Sequence, residues 1–252
     1  THIAKETETP HLFSPTGFLD NHWFHRSYWT YARSFPGGWI GHLNAGRYNP
    51  SGRLLVLDKS TIYGYGRKPA YYKWTTSLEY RLFAADRKTH TPKDIYAYDY
   101  FKVAQVKNFP KMKIDRSLGL PYGPRPKLKK SYACKWEDTS PSLLVLAMVG
   151  TKDSLFVAGP KDIMDEQSYF HSNAAKAYAQ LKGELKSQSD IWKGKGGAVL
   201  HSVSKKDGTT TAKHTLDALP VFDGMIAVEG KLFVSLANGR LICLGAGPRG
   251  GN

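Results

Sequence analysis

GMIAVEGKLFVSLANGRLICLG, residues 224–245, reads as three short strands joined by two tight turns, Glu229-Gly230 and Asn238-Gly239. Paired turn signals flanked by alternating apolar residues are the strongest short-range hairpin pattern a sequence offers. β-branched and aromatic side chains fill the segments between the turns, so the unit is a small antiparallel meander. Such a sheet calls for a fourth strand, and none follows.

The same unit recurs twice upstream. Leu54 to Ile62 runs into Tyr63-Gly64-Tyr65-Gly66, and Ala147 to Leu155 runs into Phe156-Val157-Ala158-Gly159. Each is strand, charged turn, strand and small-residue exit. With Ile62, Leu155 and Leu232 as equivalent positions, the repeats stand 93 and 77 residues apart, against roughly 40–50 for an uninterrupted propeller blade. The repeats are therefore stretched by insertions.

Length and composition set the class. With 252 residues, 41% hydrophobic and 23% charged, the chain can bury a sizeable core as one large or two small domains. Many short strands and a high Gly and Pro content favour an all-β architecture of the sandwich, barrel or propeller kind and exclude a helical bundle. No run of about eighteen apolar residues predicts a membrane-crossing helix, and no charged start followed by an apolar core marks a signal peptide.

The formal net charge is +15, from 36 Lys and Arg against 21 Asp and Glu. Such a bias attracts polyanions, acidic proteins and anionic surfaces alike. Its densest stretch holds Lys111, Lys113, Arg116, Arg125, Lys127, Lys129, Lys130 and Lys135 against Asp115 alone. Pro121, Pro124 and Pro126 make it an extended surface loop rather than a helix. We read it as a solvated connection, with an anion-binding loop at Lys111, Lys113, Arg125, Lys127, Lys129 and Lys130 as the alternative. Cys134 and Cys243 are either one bridge or two buried free thiols, and neither has the spacing for zinc or covalent haem.

Along the chain, blade-like units are expected at about 11–50, 52–103, 142–216 and 220–245. A basic insertion is expected at about 107–137 and a helical one at about 165–186. In the second unit, 53–65 forms a hairpin, 78–85 a third strand and 95–103 a fourth. In the third unit, the hairpin at 143–159 joins a strand ending on the Asp207-Gly208 turn and its return strand at 209–216. The predicted result is one four-stranded sheet with a helix spliced into it. Ala174, Ala175, Ala177, Ala179, Leu181 and Leu185 carry that helix's propensity.

These stretches resemble a known group. SKKDGTTTAKHTL from Ser204, followed by PVFDGMIAVEGKLFVSLANGRLICLG from Pro220, is similar to the PQQ-type, quinoprotein alcohol dehydrogenase-like β-propeller repeat proteins of bacteria. HLFSPTGFLD from His11, STIYGYGRKPAYYKWTTSLEYRLFAAD from Ser60 and LFVAGPKDIMDEQ from Leu155 resemble the C-terminal half of exported propeller proteins in that group. The resemblance implies a β-propeller of four-stranded antiparallel blades, about three to four of them here, in a periplasmic or secreted bacterial protein. A ring of seven or eight blades needs at least ~280 residues. The expected partner is thus the remaining N-terminal half of a propeller or a second polypeptide, which supplies the strand missing from 224–245. The rival is a self-contained open sheet or small four-bladed ring in which His11–Phe13 or Tyr28 to Tyr31 fills that gap.

The resemblance also implies what a catalytic member carries: an adjacent cysteine pair, a calcium-binding carboxylate and amide set, and an aspartate base beside the quinone. The chain shows no adjacent cysteines and nothing resembling the calcium site. His22 and His25, beside Asp20, are the one cluster with metal-like spacing, but in a segment leading into a strand the two rings diverge. A structural role among Trp23, Phe24 and Trp29 is the reading preferred there. Tyr65, Arg67, Lys68, Tyr71, Tyr72, Lys73 and Trp74 set cations beside π-faces and suit a ligand, or else pack a long connection. Asp86, Arg87 and Lys88 read as a charged turn.

The expected function is that of a non-catalytic or degenerate quinoprotein-like scaffold without a cofactor. It would bind a polyanion or an acidic protein across a face containing Trp23, Trp29, Arg67, Lys68, Tyr71, Tyr72 and Trp74. The alternative is a segment of an oxidoreductase linked to PQQ with calcium or to haem. A third expectation is polysaccharide binding.

Overall fold

The fold is given by a computed structural model that describes residues 9–14, 29–33, 49–68, 71–72, 75–76, 79–87, 113–115, 120–122, 134–165 and 174–245. In chain order the strands of the first half are β1 (His11–Phe13), β2 (Trp29–Ala32), β3 (Ser51–Gly52), β4 (Leu54–Leu57), β5 (Thr61–Arg67), β6 (Tyr71–Tyr72), β7 (Thr75–Thr76) and β8 (Tyr80–Asp86). There follow β9 (Lys113–Asp115), β10 (Leu120–Tyr122), β11 (Cys134–Asp138), β12 (Ala147–Gly150) and β13 (Ser154–Gly159). Helix α1 (Ala174–Trp192) precedes β14 (Ala198–Ser204), β15 (Thr210–Leu216), β16 (Pro220–Val228), β17 (Lys231–Leu236) and β18 (Leu241–Gly245). Among the described residues the chain is therefore all-β with one helix.

The larger sheets run β1-β2-β3, β11-β8-β5-β4, β12-β13-β14-β15 and β16-β17-β18, and two ribbons pair β6 with β7 and β9 with β10. The chain divides into two compact units, Thr1–Ser77 with Ala85–Lys135, and Leu78–Ala84 with Trp136–Asn252. Strands β8 and β11 each contribute residues to both.

In the second unit the expected four-stranded sheet is present, with α1 between β13 and β14. Asp207 and Gly208 shape the turn from β14 to β15: Gly208 takes φ 80°, and the Asp207 carboxylate accepts hydrogen bonds from the Thr209 amide and hydroxyl at 3.1 and 2.7 Å. The three-stranded meander is also as read. Glu229 and Gly230 both have positive φ, 48° and 72°, as the commonest two-residue hairpin turn demands. The next loop closes through Leu236 N to Arg240 O at 2.8 Å, with the Asn238 side chain accepting from Arg240 N at 3.2 Å.

Burial follows the period of two. Leu232, Val234 and Leu236 on β17 are buried and form one core with Ala158, Ala198, Leu200 and Leu216 of the four-stranded sheet. Each such aliphatic side chain contributes about 1.5–3 kcal/mol on burial. A bulge in β16 adds a second tie. Pro220 stands opposite Leu236 and Met225 opposite Val234, which leaves residues 221–224 facing Ser235. Asp223, at φ 55°, uses this bulge to donate its amide to Leu146 O at 2.9 Å, just ahead of β12.

Several expectations change. His11–Phe13 pairs with Trp29–Ala32, His11 opposite Ala32, so these segments form a sheet of their own with β3 and neither closes the 224–245 meander. The fourth strand of the β4-β5-β8 sheet comes from Cys134–Asp138, which the sequence reading assigned to the basic insertion; residues 95–103 lie outside the described residues. Lys113–Asp115 and Leu120–Tyr122 pair antiparallel where an extended loop was expected. The helix runs to Trp192 rather than ending near 186, because Gln188, 1% exposed, binds Ile163 N at 2.7 Å and Lys161 O at 3.0 Å. Both cysteines are free thiols, but Cys134 is half-buried and Cys243 exposed.

Candidate functional site

In the first unit, the backbones of Trp29, Arg67 and Lys68 run close to a point where two strands touch. Trp29 on β2 pairs with Gly52 on β3. Gly52 in turn lies against Gly66 of β5: a Cβ on Gly66 would come within 2.7 Å of Gly52 Cα and 2.9 Å of Ser51 O. Only two glycines permit that approach. It carries Trp29, from one strand, and Arg67 with Lys68, from another, to a common crossing of strand ends.

Arg53 was not singled out from sequence and follows Gly52 at the same crossing, where its amide donates to Tyr65 O at 2.8 Å. Trp29, Arg53, Arg67 and Lys68 are all half-buried, and Arg53 and Arg67 are both engaged by neighbours. Their backbone positions cluster at the crossing, and guanidinium, ammonium and indole are the group types that anionic or π-bearing ligands use. The backbones of Tyr71 and Tyr72 form β6 shortly after it. Trp23, Trp74, His22 and His25 lie outside the described residues, as do Lys111, Arg125, Lys127, Lys129 and Lys130. Lys113 belongs to β9.

Other charged groups turn out to be structural. Lys135 donates to Thr61 Oγ1 at 2.6 Å and lies 3.2 Å from Asp86. An ammonium that donates to both a hydroxyl and a carboxylate serves as a clamp, so this Thr-Lys pair is not arranged as nucleophile and base. Arg87 is more than part of a charged turn. Its guanidinium binds Tyr31 Oη at 3.2 and 3.3 Å and Asp58 O at 2.8 Å.

In the second unit, a cavity of about 600 Å³ opens between the two stacked sheets. Phe156, Leu200, Leu232 and Leu244 give it an apolar lining, with Glu229 and Lys231 among its polar residues. His201 is 5% exposed on β14 opposite Val157; burial first, and then Lys213, push its imidazole below the usual histidine range. Burial raises the Asp223 carboxyl. Neither stands in a nucleophile-base pair with the other.

Among the described residues, no group of three or more His, Cys, Asp or Glu side chains is placed to hold a metal ion. Among them, too, no helix is long and apolar enough to cross a membrane. Compared with known proteins, the chain matches no family model and no curated protein.

Proposed function

We propose that the chain is a binding scaffold built as part of a quinoprotein-like β-propeller, in an exported bacterial protein, and that it takes an acidic or polyanionic partner at the Trp29, Arg53, Arg67, Lys68 crossing. The observation that carries this reading is the Gly52–Gly66 contact, which brings the backbone positions of Trp29, Arg53, Arg67 and Lys68 to one crossing of strands. Stacked antiparallel sheets of four and three strands support the propeller part. Rigid sheets that fix the geometry of strand ends and loops are the usual setting for binding surfaces. The net charge of +15 speeds encounter with an anion, while the aromatic and guanidinium groups supply shape.

Retention of the full chain on immobilised polyglutamate tests the proposal. Replacing Arg67 and Lys68 together by alanine is expected to lower affinity at least tenfold at physiological salt. Unchanged affinity overturns the assignment of the site. Titration with PQQ and calcium tests the absence of quinone chemistry: a saturable shift of the quinone absorbance band replaces the scaffold reading with the oxidoreductase one.

A further inference from the structure

Three dipeptides in the sequence join Asn or Asp to Gly: Asp207-Gly208, Asp223-Gly224 and Asn238-Gly239. In such a pair the glycine amide can attack the preceding side-chain carbonyl carbon and close a cyclic imide, because no Cβ on the glycine hinders the approach. The structure separates the three. Gly208 is clamped: a Cβ on it would meet the Trp136 ring at 2.7 Å, and its amide donates to Ser204 O at 2.9 Å. The Thr209 hydroxyl first, and then the Thr209 amide, hold the Asp207 carboxyl below the usual range, and an ionised carboxylate is a poor electrophile. Burial raises the Asp223 carboxyl and so favours its attackable acid form. Its backbone, however, is fixed. The Asp223 amide donates to Leu146 O at 2.9 Å, and a Cβ on Gly224 would lie 3.0 Å from Val221 and 3.3 Å from Ser235.

Asn238-Gly239 differs on each count. Residues 237–240 are exposed, and beyond its chain neighbours no atom lies within 4 Å of where a Cβ on Gly239 would sit. The electrophile there is a neutral amide. Arg240 N donates to Asn238 Oδ1 at 3.2 Å, which polarises Cγ and supports the negative charge that an attack places on that oxygen. One restraint opposes the reaction: Gly239 N donates to Leu236 O at 3.0 Å, so the attacking amide is engaged until that bond opens. The bond belongs to an exposed loop tip, and such tips open without unfolding of the sheet beneath them.

We infer that Asn238 is a modification site, at which the folded chain deamidates through local opening of the β17–β18 turn. Gly239 N gives its proton to hydroxide and bonds to Asn238 Cγ. The Cγ–Nδ2 bond then breaks, and the side-chain nitrogen takes a proton from water and leaves as ammonia. Water opens the imide at either carbonyl. Opening at Cγ leaves an aspartate, and opening at the main-chain carbonyl leaves an isoaspartate, whose main chain runs through the former side chain. No oxidant or reductant takes part. The site lies in the second unit and stands or falls apart from the acidic-partner reading.

The two products act differently on the fold. Aspartate keeps the turn, because its carboxylate accepts from Arg240 N as the amide did. Isoaspartate adds a main-chain carbon to a loop whose length is set by Gly239 at φ 84°, by Leu236 N to Arg240 O at 2.8 Å and by Ala237 N to Leu219 O at 2.8 Å. The longer loop cannot satisfy all of these, so the closing bond at Leu236 is the one to loosen.

The test is to incubate the full chain, folded and unfolded in urea, at mildly alkaline pH and to follow each dipeptide by peptide mapping that resolves aspartate from isoaspartate. Folding is expected to slow conversion of Asn238 by less than thirtyfold, and to slow isomerisation of Asp207 and Asp223 at least tenfold more than that. Amide exchange at Leu236 is expected to rise at least tenfold in the isoaspartyl fraction of aged protein. Asn238→Ser keeps a short acceptor for Arg240 N and removes the electrophile, so Leu236 exchange is expected to stay constant on ageing. Fresh unaltered protein is the reference if that variant does not fold. Slowing of Asn238 by thirtyfold or more, equal slowing at the three dipeptides, or an isoaspartyl fraction with unchanged Leu236 exchange overturns the inference.

Discussion

The indole of Trp136 lies against the backbone of Gly208: a Cβ there would meet Trp136 Cε3 at 2.7 Å, and Trp136 Nε1 donates to Lys205 O at 3.0 Å. A strand residue thus grips the β14–β15 turn at the one position with neither side chain nor negative φ. Gly208→Ala is expected to cost about 1–3 kcal/mol, from the clash and from an L-residue at φ 80°. Trp136→Phe, which keeps the ring and loses the donor, is expected to cost about 1 kcal/mol. Urea unfolding monitored by far-ultraviolet circular dichroism measures both.

Arg81 and Glu137 form a largely buried ion pair, with Nη1 to Oε1 at 2.8 Å, the Arg81 side chain 4% exposed and its guanidinium 4.7 Å above the Phe83 ring. Glu137→Ala removes a carboxylate from beside a buried cation and is expected to cost about 3 kcal/mol, the lower end for such a pair because Glu137 keeps some solvent. The double variant with Arg81→Met is expected to recover a large part of that loss in a double-mutant cycle.

Gln188 ties α1 to the chain leaving β13. Gln188→Leu removes the partners of Ile163 N and Lys161 O and is expected to cost about 1–3 kcal/mol. Amide exchange at Ile163 is expected to rise at the same time, while exchange within β14 changes little.

His201 gives the second unit a pH dependence of defined sign. Its folded pKa lies below 6.5, first through burial and then through Lys213. The unfolded chain therefore binds the proton first as pH falls. Stability is full above about 6.5 and declines between that value and the folded pKa. Asp223, whose carboxyl is raised by burial, acts in the opposite sense: its destabilising effect sets in as pH rises above 3.8 toward its folded pKa. The difference between the wild type and His201→Leu in urea midpoint against pH isolates the first effect. It is expected to grow on acidification below 6.5 and to be flat above.

Much of the second unit was legible in sequence because its determinants are local. Asp207-Gly208, Glu229-Gly230 and Asn238-Gly239 mark their own turns, and the alternation along β14 and β17 marks their faces. The β11 strand was missed because Lys135, Glu137 and Asp138 look like solvated charge until Asp86, Thr61 and Arg81 are brought beside the first two from 49 to 74 residues away. Distant carbonyls likewise decide how far α1 runs, through Gln188, and what Arg87 does. At the candidate site, Trp29, Arg67 and Lys68 were each visible as residue types. Their meeting depends on the Gly52–Gly66 contact, and such a contact between strands leaves no periodic trace.

The binding claim is tested most directly by titrating polyglutamate into the wild type and Trp29→Ala at about 0.15 and 0.5 M salt, where the screening length shrinks from about 8 Å to about half that. A shaped site predicts that wild-type binding survives at the higher salt, and that Trp29→Ala weakens it at least fivefold at both. Binding that vanishes at 0.5 M salt and is indifferent to Trp29 would reduce the interaction to net charge and contradict the account.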